Sequence, residues 1–354
     1  LLVIDGVRMN NAIYRSGNLQ NIISIDALGT QTAEVIFGPG SLIYGSDAIG
    51  GVMDFHSLNA GFSKDKKMLV SGSALARYST ANKENTFHAD INLGFKRWSL
   101  LSSVTYSKFD DLKMGKHGGQ SSYLRPEYVE RINGIDSIVK NSNSRIQRFS
   151  GYEQINFLQK IRYKPTEHFD IQYSFTYAGT GNAPRYDRLI QYRSGKLRFA
   201  EWNYGPMLWR MHNLQMLHSK KNILYDDLRV TVAYQNYDES RIDRTRASNN
   251  RNIQAEKVNA ISVNIDANKK MGKGDLFYGA EYVYNKVGSV GSKTNITNNA
   301  VTPAVSRYPD GSTWNTSGIY GSYKINIIPV LTLTGGLRYS YNTLNASFDT
   351  TFIK

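Results

Sequence analysis

The sequence predicts an all-β fold, most of it an antiparallel transmembrane β-barrel. From about residue 66 onward, segments of roughly ten residues alternate apolar and polar side chains, which is typical of membrane barrel strands. In one such segment, Phe87 and Ile91 fall on one face, whereas His88 and Asp90 fall on the other. Because successive side chains of a strand point to opposite faces, one face can contact lipid while the other faces a lumen.

About eleven such strands can be counted, and the connections between them alternate in length. Long loops are predicted at about 109–152, 179–206, 238–254 and 288–314, with short turns between them. Outer-membrane barrels have short periplasmic turns and long outer loops, whereas a soluble β-sandwich gives no reason for this alternation. The predicted strands lie at about 66–78, 85–96, 97–108, 153–164, 168–178, 207–219, 224–237, 255–268, 274–287, 315–327 and 329–343.

Composition restricts the class further. The 354 residues include no Cys, which excludes a disulfide framework or a thiolate metal site, and no apolar run is long enough for a spanning helix. The net charge of +14 first suggests nucleic acid. The basic residues are scattered over strand ends and loops, so we expect no nucleic acid and instead lipopolysaccharide phosphates or an anionic ligand. Tyr and Trp residues near strand ends fit the two membrane interfaces.

The first sixty residues differ in kind. Val3-Ile4-Asp5-Gly6-Val7 is followed by a Gly-rich run from Ala33 to Met53. These two segments, in this order and ahead of the barrel strands, resemble the closing part of the plug domain of TonB-dependent outer-membrane receptors. The resemblance implies a plug at 1–58 and a barrel at 59–354. The structural residues of the plug motif are Asp5, Gly6, Gly38, Pro39, Gly40, Tyr44, Gly45, Gly50 and Gly51.

What this resemblance implies is a 22-stranded barrel around a plugged lumen, of which this chain holds about half. We therefore expect an open sheet whose edges lie at about 66–78 and 329–343, together with a plug that lacks its first strands and its TonB-contacting segment. The family often has Arg before the Gly-Pro pair. Here Phe37 occupies that position, which puts a plug-to-barrel ion pair there in doubt.

A second resemblance concerns an outer loop. Pro184 to Leu189 and Leu197 to Pro206 are similar to a loop of the haemoglobin, haem and transferrin receptor subgroup. The loop has the Arg and aromatic content of a binding surface, or it is a lid over the barrel mouth. The candidate ligand-binding residues of the outer loops are His117, Tyr123, Arg185, Tyr186, Trp202 and Tyr204.

The segment from Met9 to Asn21 resembles an apical plug loop that faces the outer vestibule. In it, Arg15 and Tyr14 could hold an anionic or aromatic iron chelate by charge and stacking, or Arg15 could pair only with a barrel carboxylate. The histidines show no metal-ligand spacing and are interpreted as solvated polar residues rather than haem or metal ligands. The candidate residues of the apical loop are Tyr14, Arg15, Asn18 and Gln20.

No catalytic motif is present: the glycine cluster lacks a Gly-Lys-Ser/Thr ending, and we expect no catalytic residue, metal site or cofactor. The family resemblance implies energy-coupled uptake across the bacterial outer membrane. The first hypothesis is an iron source, a siderophore or haem, taken as a small ligand or from a carrier protein, with the TonB complex as energy source. The alternatives are uptake of cobalamin or a glycan, and a passive adhesin barrel.

Overall fold

The computed structural model describes residues 1–9, 12–13, 22–37, 41–45, 48–65, 67–115, 117 and 124–351. Its N-terminal part is a four-stranded sheet in the order β2-β1-β4-β3. Strands β1 and β4 run parallel, and the other neighbours are antiparallel. The elements of this part are β1 (Leu2–Ile4), β2 (Val7–Arg8), a 3-10 helix (Ile22–Ser24), β3 (Thr30–Ile36), α1 (Ser41–Tyr44) and β4 (Val52–Ser57).

The remainder of the chain is nearly all strand. Among the described residues, no helix has the length and apolar character needed to cross a membrane. The elements are β5 (Leu69–Ser79), β6 (Glu84–Gly94), β7 (Trp98–Phe109), β8 (Leu112–Lys113), β9 (Glu127–Ile132), β10 (Ile135–Lys140), β11 (Ile146–Gln147), β12 (Tyr152–Thr166), β13 (Phe169–Thr180), β14 (Ala183–Pro184), α2 (Tyr186–Leu189), β15 (Tyr192–Arg193), β16 (Lys196–Leu197), β17 (Phe199–Ser219), β18 (Asp227–Thr245), β19 (Asn250–Met271), β20 (Gly274–Asn295), β21 (Val301–Ala304), β22 (Thr313–Ile328) and β23 (Leu331–Asn345).

Eleven long strands form one antiparallel sheet, in the order β23-β22-β20-β19-β18-β17-β13-β12-β7-β6-β5, with β14 and β21 as short additions. The predicted set of eleven strands is confirmed, and β5 and β23 are the end strands of the sheet. The N-terminal part contacts the inner face of the long sheet from β7, where the Thr105 hydroxyl donates to Asp26, to β23, where Arg338 donates to the Ile43 carbonyl oxygen. The long sheet therefore wraps around the plug.

The two faces of the strands divide as the alternation predicts. In β6, Phe87 and Ile91 are 57% and 46% exposed, whereas Thr86 and His88, on either side of Phe87, are buried. A row of large apolar side chains that stays exposed on a folded sheet is the surface that lipid covers in a membrane barrel. The outward apolar face and the inward polar face are therefore confirmed in this strand.

The predicted strand at 207–219 alternates poorly for a physical reason. Trp209 and Met211 point inward and are buried against the plug, whereas His212 and Leu214 belong to the outward face. Where the lumen is filled by an apolar part of the plug, the inner face of the wall is apolar as well. Both faces of the strand are then hydrophobic, and the period-2 signal fades.

The predicted loops at 179–206, 238–254 and 288–314 were too long. Strand β17 already begins at Phe199, so the loop candidates Trp202 and Tyr204 lie in a strand. Strand β18 continues to Thr245 and β19 begins at Asn250, so only four residues, 246–249, connect them. Strand β20 likewise extends to Asn295. The outer ends of these strands carry polar residues on both faces, because they project beyond the apolar zone and need no lipid-facing row. Their sequence therefore looks like a loop although the backbone stays paired.

Candidate functional site

The turn between β1 and β2 fastens the plug to the barrel wall. Asp5 and Gly6 both have positive φ angles, 46° and 75°. The Asp5 carboxylate accepts hydrogen bonds from the Ser57 amide (2.9 Å) and hydroxyl (2.5 Å), and it lies 3.1 Å from the Lys160 ammonium on the inner face of β12. The Asp5 carbonyl oxygen accepts from Asn213, at 3.2 Å, and from Gln215 of β17.

A second tie is built around one buried carboxylate of β20. Glu281 accepts from Arg8 of the plug and from Arg338 of β23, each at 2.9 Å. Arg338 also donates to the carbonyl oxygen of Ile43, at 2.6 Å, at the end of α1. Gly45 follows this helix and lies against the Arg338 guanidinium. A Cβ atom at position 45 would lie 3.5 Å from that group. Glu281 therefore bridges the plug and two positions of the wall.

The other described residues of the plug motif, Tyr44, Gly50 and Gly51, lie around the turn that leads into β4. Gly51 has a φ of 122°, and a Cβ there would lie 2.9 Å from the Ile36 carbonyl oxygen, so only glycine fits this turn before β4. Tyr44 lies against the cluster of Val3, Ala48 and Val52. Gly50 is exposed, and nothing lies within 4 Å of its Cβ position. The motif residues Gly38, Pro39 and Gly40 lie outside the described residues.

Phe37, which stands where the family often has Arg, is 80% exposed. An aromatic side chain cannot form the ion pair that was in doubt at this position. Asp5 and Arg8 instead supply ion pairs between the plug and the wall, through Lys160 and Glu281.

An apolar contact closes the gap between plug and wall. The plug contributes Leu2, Ile4 and Val7, which pack with Trp209 and Met211 of β17. Met9 and Ile13, at the base of the apical loop, belong to the same buried cluster. The Tyr308 hydroxyl donates to the Ile13 carbonyl oxygen at 2.9 Å. The apical loop thus begins against the wall, while its candidate residues Tyr14, Arg15, Asn18 and Gln20 lie outside the described residues.

The structure brings three of the outer-loop candidates together. Arg185 donates to the Tyr204 hydroxyl at 2.8 Å, and its guanidinium lies 5.1 Å from the Trp202 ring centre. Arg241 of β18 lies over the same ring at 4.8 Å. Trp202 is only 2% exposed, so it supports the arginines from below. Hydrogen bonds from Arg185 also lower the pKa of Asp187.

The remaining outer-loop candidates are separate from this group. Tyr186, at the start of α2, lies 5.3 Å below the guanidinium of buried Arg125. Burial raises the pKa of the Tyr186 phenol, and the neighbouring Arg125 opposes the shift. His117 is exposed, and Tyr123 lies outside the described residues. Within the described ranges, no group of three His, Asp or Glu side chains could hold a metal ion.

Sequence reasoning missed an ion-pair network that docks an outer hairpin. Asp136, on β10, is buried and accepts from Arg244 at 2.6 Å and from Arg131 at 3.2 Å. Arg244 also donates to Glu201, which accepts from Arg251 at 2.6 Å. The partners come from strands far apart in the chain, and no local motif marks them.

A cavity of 390 Å³ lies below the apolar contact, on the side of the short turns. Its lining includes Tyr44 and His56 of the plug and Lys160, Gln215 and Arg229 of the wall. Polar space therefore lies between the plug and the wall beside the Asp5–Lys160 contact.

A sheet with a lipid-type outer face, wrapped around a plug and carrying long outer loops, defines a plugged outer-membrane barrel. Residues 1–52 match the family described as TonB-dependent receptor plug domain. This match identifies residues 1–52 as part of a TonB-dependent receptor plug domain, and the chain is a protein of the bacterial outer membrane.

Relatives agree with this assignment. The chain is 26% identical over 218 residues to the vitamin B12 transporter BtuB of Vibrio vulnificus (strain YJ016), which covers 59% of this chain and 30% of that protein. The fold is similar to that of the copper transporter OprC, with a TM-score of 0.66 and 14% identity over 88% of this chain and 42% of that one.

The ferric enterobactin receptor PfeA of Pseudomonas aeruginosa, in its Q482A mutant, is similar with a TM-score of 0.60 and 13% identity, over 96% of this chain and 50% of that one. The chain therefore spans half or less of the length of these three proteins.

Proposed function

We propose that the full-length protein carries an iron-bearing chelate, a siderophore or haem, across the outer membrane with energy from the TonB complex. The observation that carries this proposal is the fastening of the plug to the wall through Asp5–Lys160 and Arg8–Glu281 beside an apolar contact. In the full-length barrel, a plug fastened in this way would block free diffusion of a chelate. Passage then requires a plug rearrangement, and it breaks no bond of the ligand.

An iron source is favoured by the names of several proteins of similar fold. They include a ferric enterobactin receptor, a ferric yersiniabactin uptake receptor and a ferric citrate transporter. Cobalamin is the second candidate, because one relative in sequence is a vitamin B12 transporter. The outer-loop resemblance to haem and transferrin receptors adds haem, or a carrier protein that delivers it, to the first candidate.

We propose that the ligand is held between the apical plug loop and the outer loops. Arg185 and Tyr204 are hydrogen-bonded to each other and supported by Trp202. They would offer charge and an aromatic face to an anionic chelate. The other residues of the proposed site are Tyr14, Arg15, Asn18, Gln20, His117, Tyr123 and Tyr186.

The transport proposal is tested by deletion of the intact gene and growth on single iron sources or under cobalamin dependence. We expect lost growth on one siderophore or on haem, restored by the wild-type gene. Normal growth on every iron source, with lost cobalamin-dependent growth, would transfer the assignment to cobalamin. No growth defect under any nutrient limitation would refute transport.

The ligand site is tested in the same strain by complementation with Arg185→Ala. We expect the concentration of chelate needed for half-maximal uptake to rise at least tenfold, because a charged hydrogen-bond donor is removed. Arg193→Ala, an exposed residue of the same loop, is the matched control. Equal uptake by the two variants would favour the lid interpretation of this loop.

A further inference from the structure

The connection between β20 and β22 crosses over the inner face of β20. Its first part, β21, pairs with the outer end of β20, where Ala304 lies opposite Gly291. Gly291 is on the same face of β20 as Val287, which belongs to the buried cluster between plug and wall. A Cβ atom at position 291 would collide with the carbonyl oxygens of Ala304 and Val305. The chain therefore crosses to the lumen side at a point where only glycine fits.

The segment 305–312, which we call the strap, is bound to the inner face of β20. The Tyr308 amide donates to the Ser289 hydroxyl at 3.2 Å, and the Ser289 amide donates to the Asp310 carboxylate at 2.9 Å. Two backbone hydrogen bonds, of 2.8 and 2.9 Å, join the strap to Val287. These contacts give the strap a fixed position along the wall.

The middle of the strap reaches the plug. Tyr308 packs against the buried cluster, and its hydroxyl donates to the carbonyl oxygen of Ile13, at the base of the apical loop. The guanidinium of Arg307 lies 3.6 Å from Glu239 and 3.8 Å from Glu256. These two buried glutamates are directly opposite each other on β18 and β19. Because like charges in that position repel, a cation beside them is stabilising.

We propose that the strap is an outer clasp of the plug, in which Tyr308 holds the base of the apical loop and Arg307 keeps Tyr308 in position. The ion pairs of Asp5 and Arg8 fasten the plug to strands of the wall, whereas the strap belongs to an outer loop. One hydrogen bond and one ion pair can break while the wall stays folded.

Movement of this outer loop therefore removes a contact of the plug on the side of the long loops. Coupling between two sites is reciprocal, so displacement of the apical loop loosens the strap in turn. No property of the transported ligand enters this inference, which is independent of the transport proposal.

Hydrogen exchange of the peptide that contains Ile13, in the full-length protein without ligand, tests the clasp. Tyr308→Phe removes only the hydroxyl and should raise the exchange rate about fivefold, the usual effect of one lost hydrogen bond. Gly291→Ala lies outside both strap and plug, and it should raise the rate at least as much because the crossing is blocked. Gly288→Ala is the matched control: its Cβ would lie 3.6 Å from the nearest atom, on Asp310, and exchange should equal that of the wild type.

A variant in the plug tests reciprocity. Ile13→Ala should raise the exchange rate of the strap peptide, 305–312, whereas Val35→Ala, at an exposed position of the plug, should leave it unchanged. Equal exchange at Ile13 in Gly291→Ala and Gly288→Ala would overturn the proposal. Faster exchange of the strap alone in Tyr308→Phe, with the Ile13 peptide unchanged, would also overturn it. If Gly291→Ala fails to fold, Tyr308→Phe decides the question, because it adds no atom.

Discussion

The ammonium group of Lys160, on the inner face of β12, lies 3.1 Å from the carboxylate of Asp5 in the plug, and the two side chains are only 1% and 7% exposed. This pair joins the β1–β2 turn to the wall at a point that water hardly reaches. A buried pair of this kind costs much to break from one side, because the remaining charge keeps its desolvation penalty without its partner.

Replacement of Lys160 by Met should therefore loosen the plug while leaving the barrel folded. We expect the docked plug to lose about 3 kcal/mol, the usual cost of leaving one buried charge unpaired. Hydrogen exchange of amides in 1–9 of the full-length protein measures this loss. Lys67→Met, at an exposed position, is the control. Unchanged hydrogen exchange in Lys160→Met would show that Ser57 and the side-chain amides of Asn213 and Gln215 are sufficient to hold Asp5.

Glu281 should couple the plug to β23. Because Arg8 and Arg338 share this carboxylate, Glu281→Gln weakens both contacts at once. In the Glu281→Gln background, Arg8→Gln should cost at least 1 kcal/mol less than it costs alone, as expected for side chains in one network. Denaturant unfolding of the four variants in a double-mutant cycle provides the measurement. Strict additivity would contradict the shared role.

Docking of the β9–β10 hairpin should weaken in acid. Burial by itself raises the pKa of Asp136, but hydrogen bonds from Arg244 and the Ala247 amide outweigh burial, so the pKa lies below its usual range. A lowered pKa stabilises the hairpin above the unfolded-state value of about 4, and the contribution is lost as pH falls through the folded-state value. Protease protection of 127–140 should stay constant from about pH 8 to pH 5 and fall below about pH 4.

The control for this pH effect is Asp136→Asn, which removes the titrating group. The variant should be less protected than the wild type at neutral pH, with little further change below pH 4. Protection that falls equally in both proteins would assign the acid effect to other carboxylates of the loop.

The free-energy cost of a charge on the outer face should depend on its depth in the membrane. Ile265 lies among the apolar outward residues of β19, whereas Val290 lies on the outer face of β20 beyond Lys286. Ile265→Lys should cost about 2–4 kcal/mol and Val290→Lys about 0–1 kcal/mol. Folding yield into lipid vesicles under graded urea compares the two variants. A larger cost for Val290→Lys than for Ile265→Lys would show that the membrane boundary is not where we place it.

Much of the wall could be predicted from residue order alone. The alternation at Phe87 and Ile91 identified both the strand and its lipid-facing side, because a period of two is a local property of an extended chain. The strand prediction failed where the polar outer end of a strand projects beyond the membrane, as at Asp243. The alternation was weak where both faces of a strand are apolar, as at Trp209. In each case the environment beyond the strand changed the pattern.

The sequence by itself determined the class of this protein: a plug segment followed by membrane-barrel strands whose outer face is apolar. Only the tertiary structure decided that Asp5 meets Lys160, that Arg8 and Arg338 share Glu281, and that Tyr308 reaches Ile13. These pairs are separated by tens to hundreds of residues, so their contact depends on strand register and on how the sheet wraps the plug. Register is a property of neighbouring strands together, and no single segment encodes it.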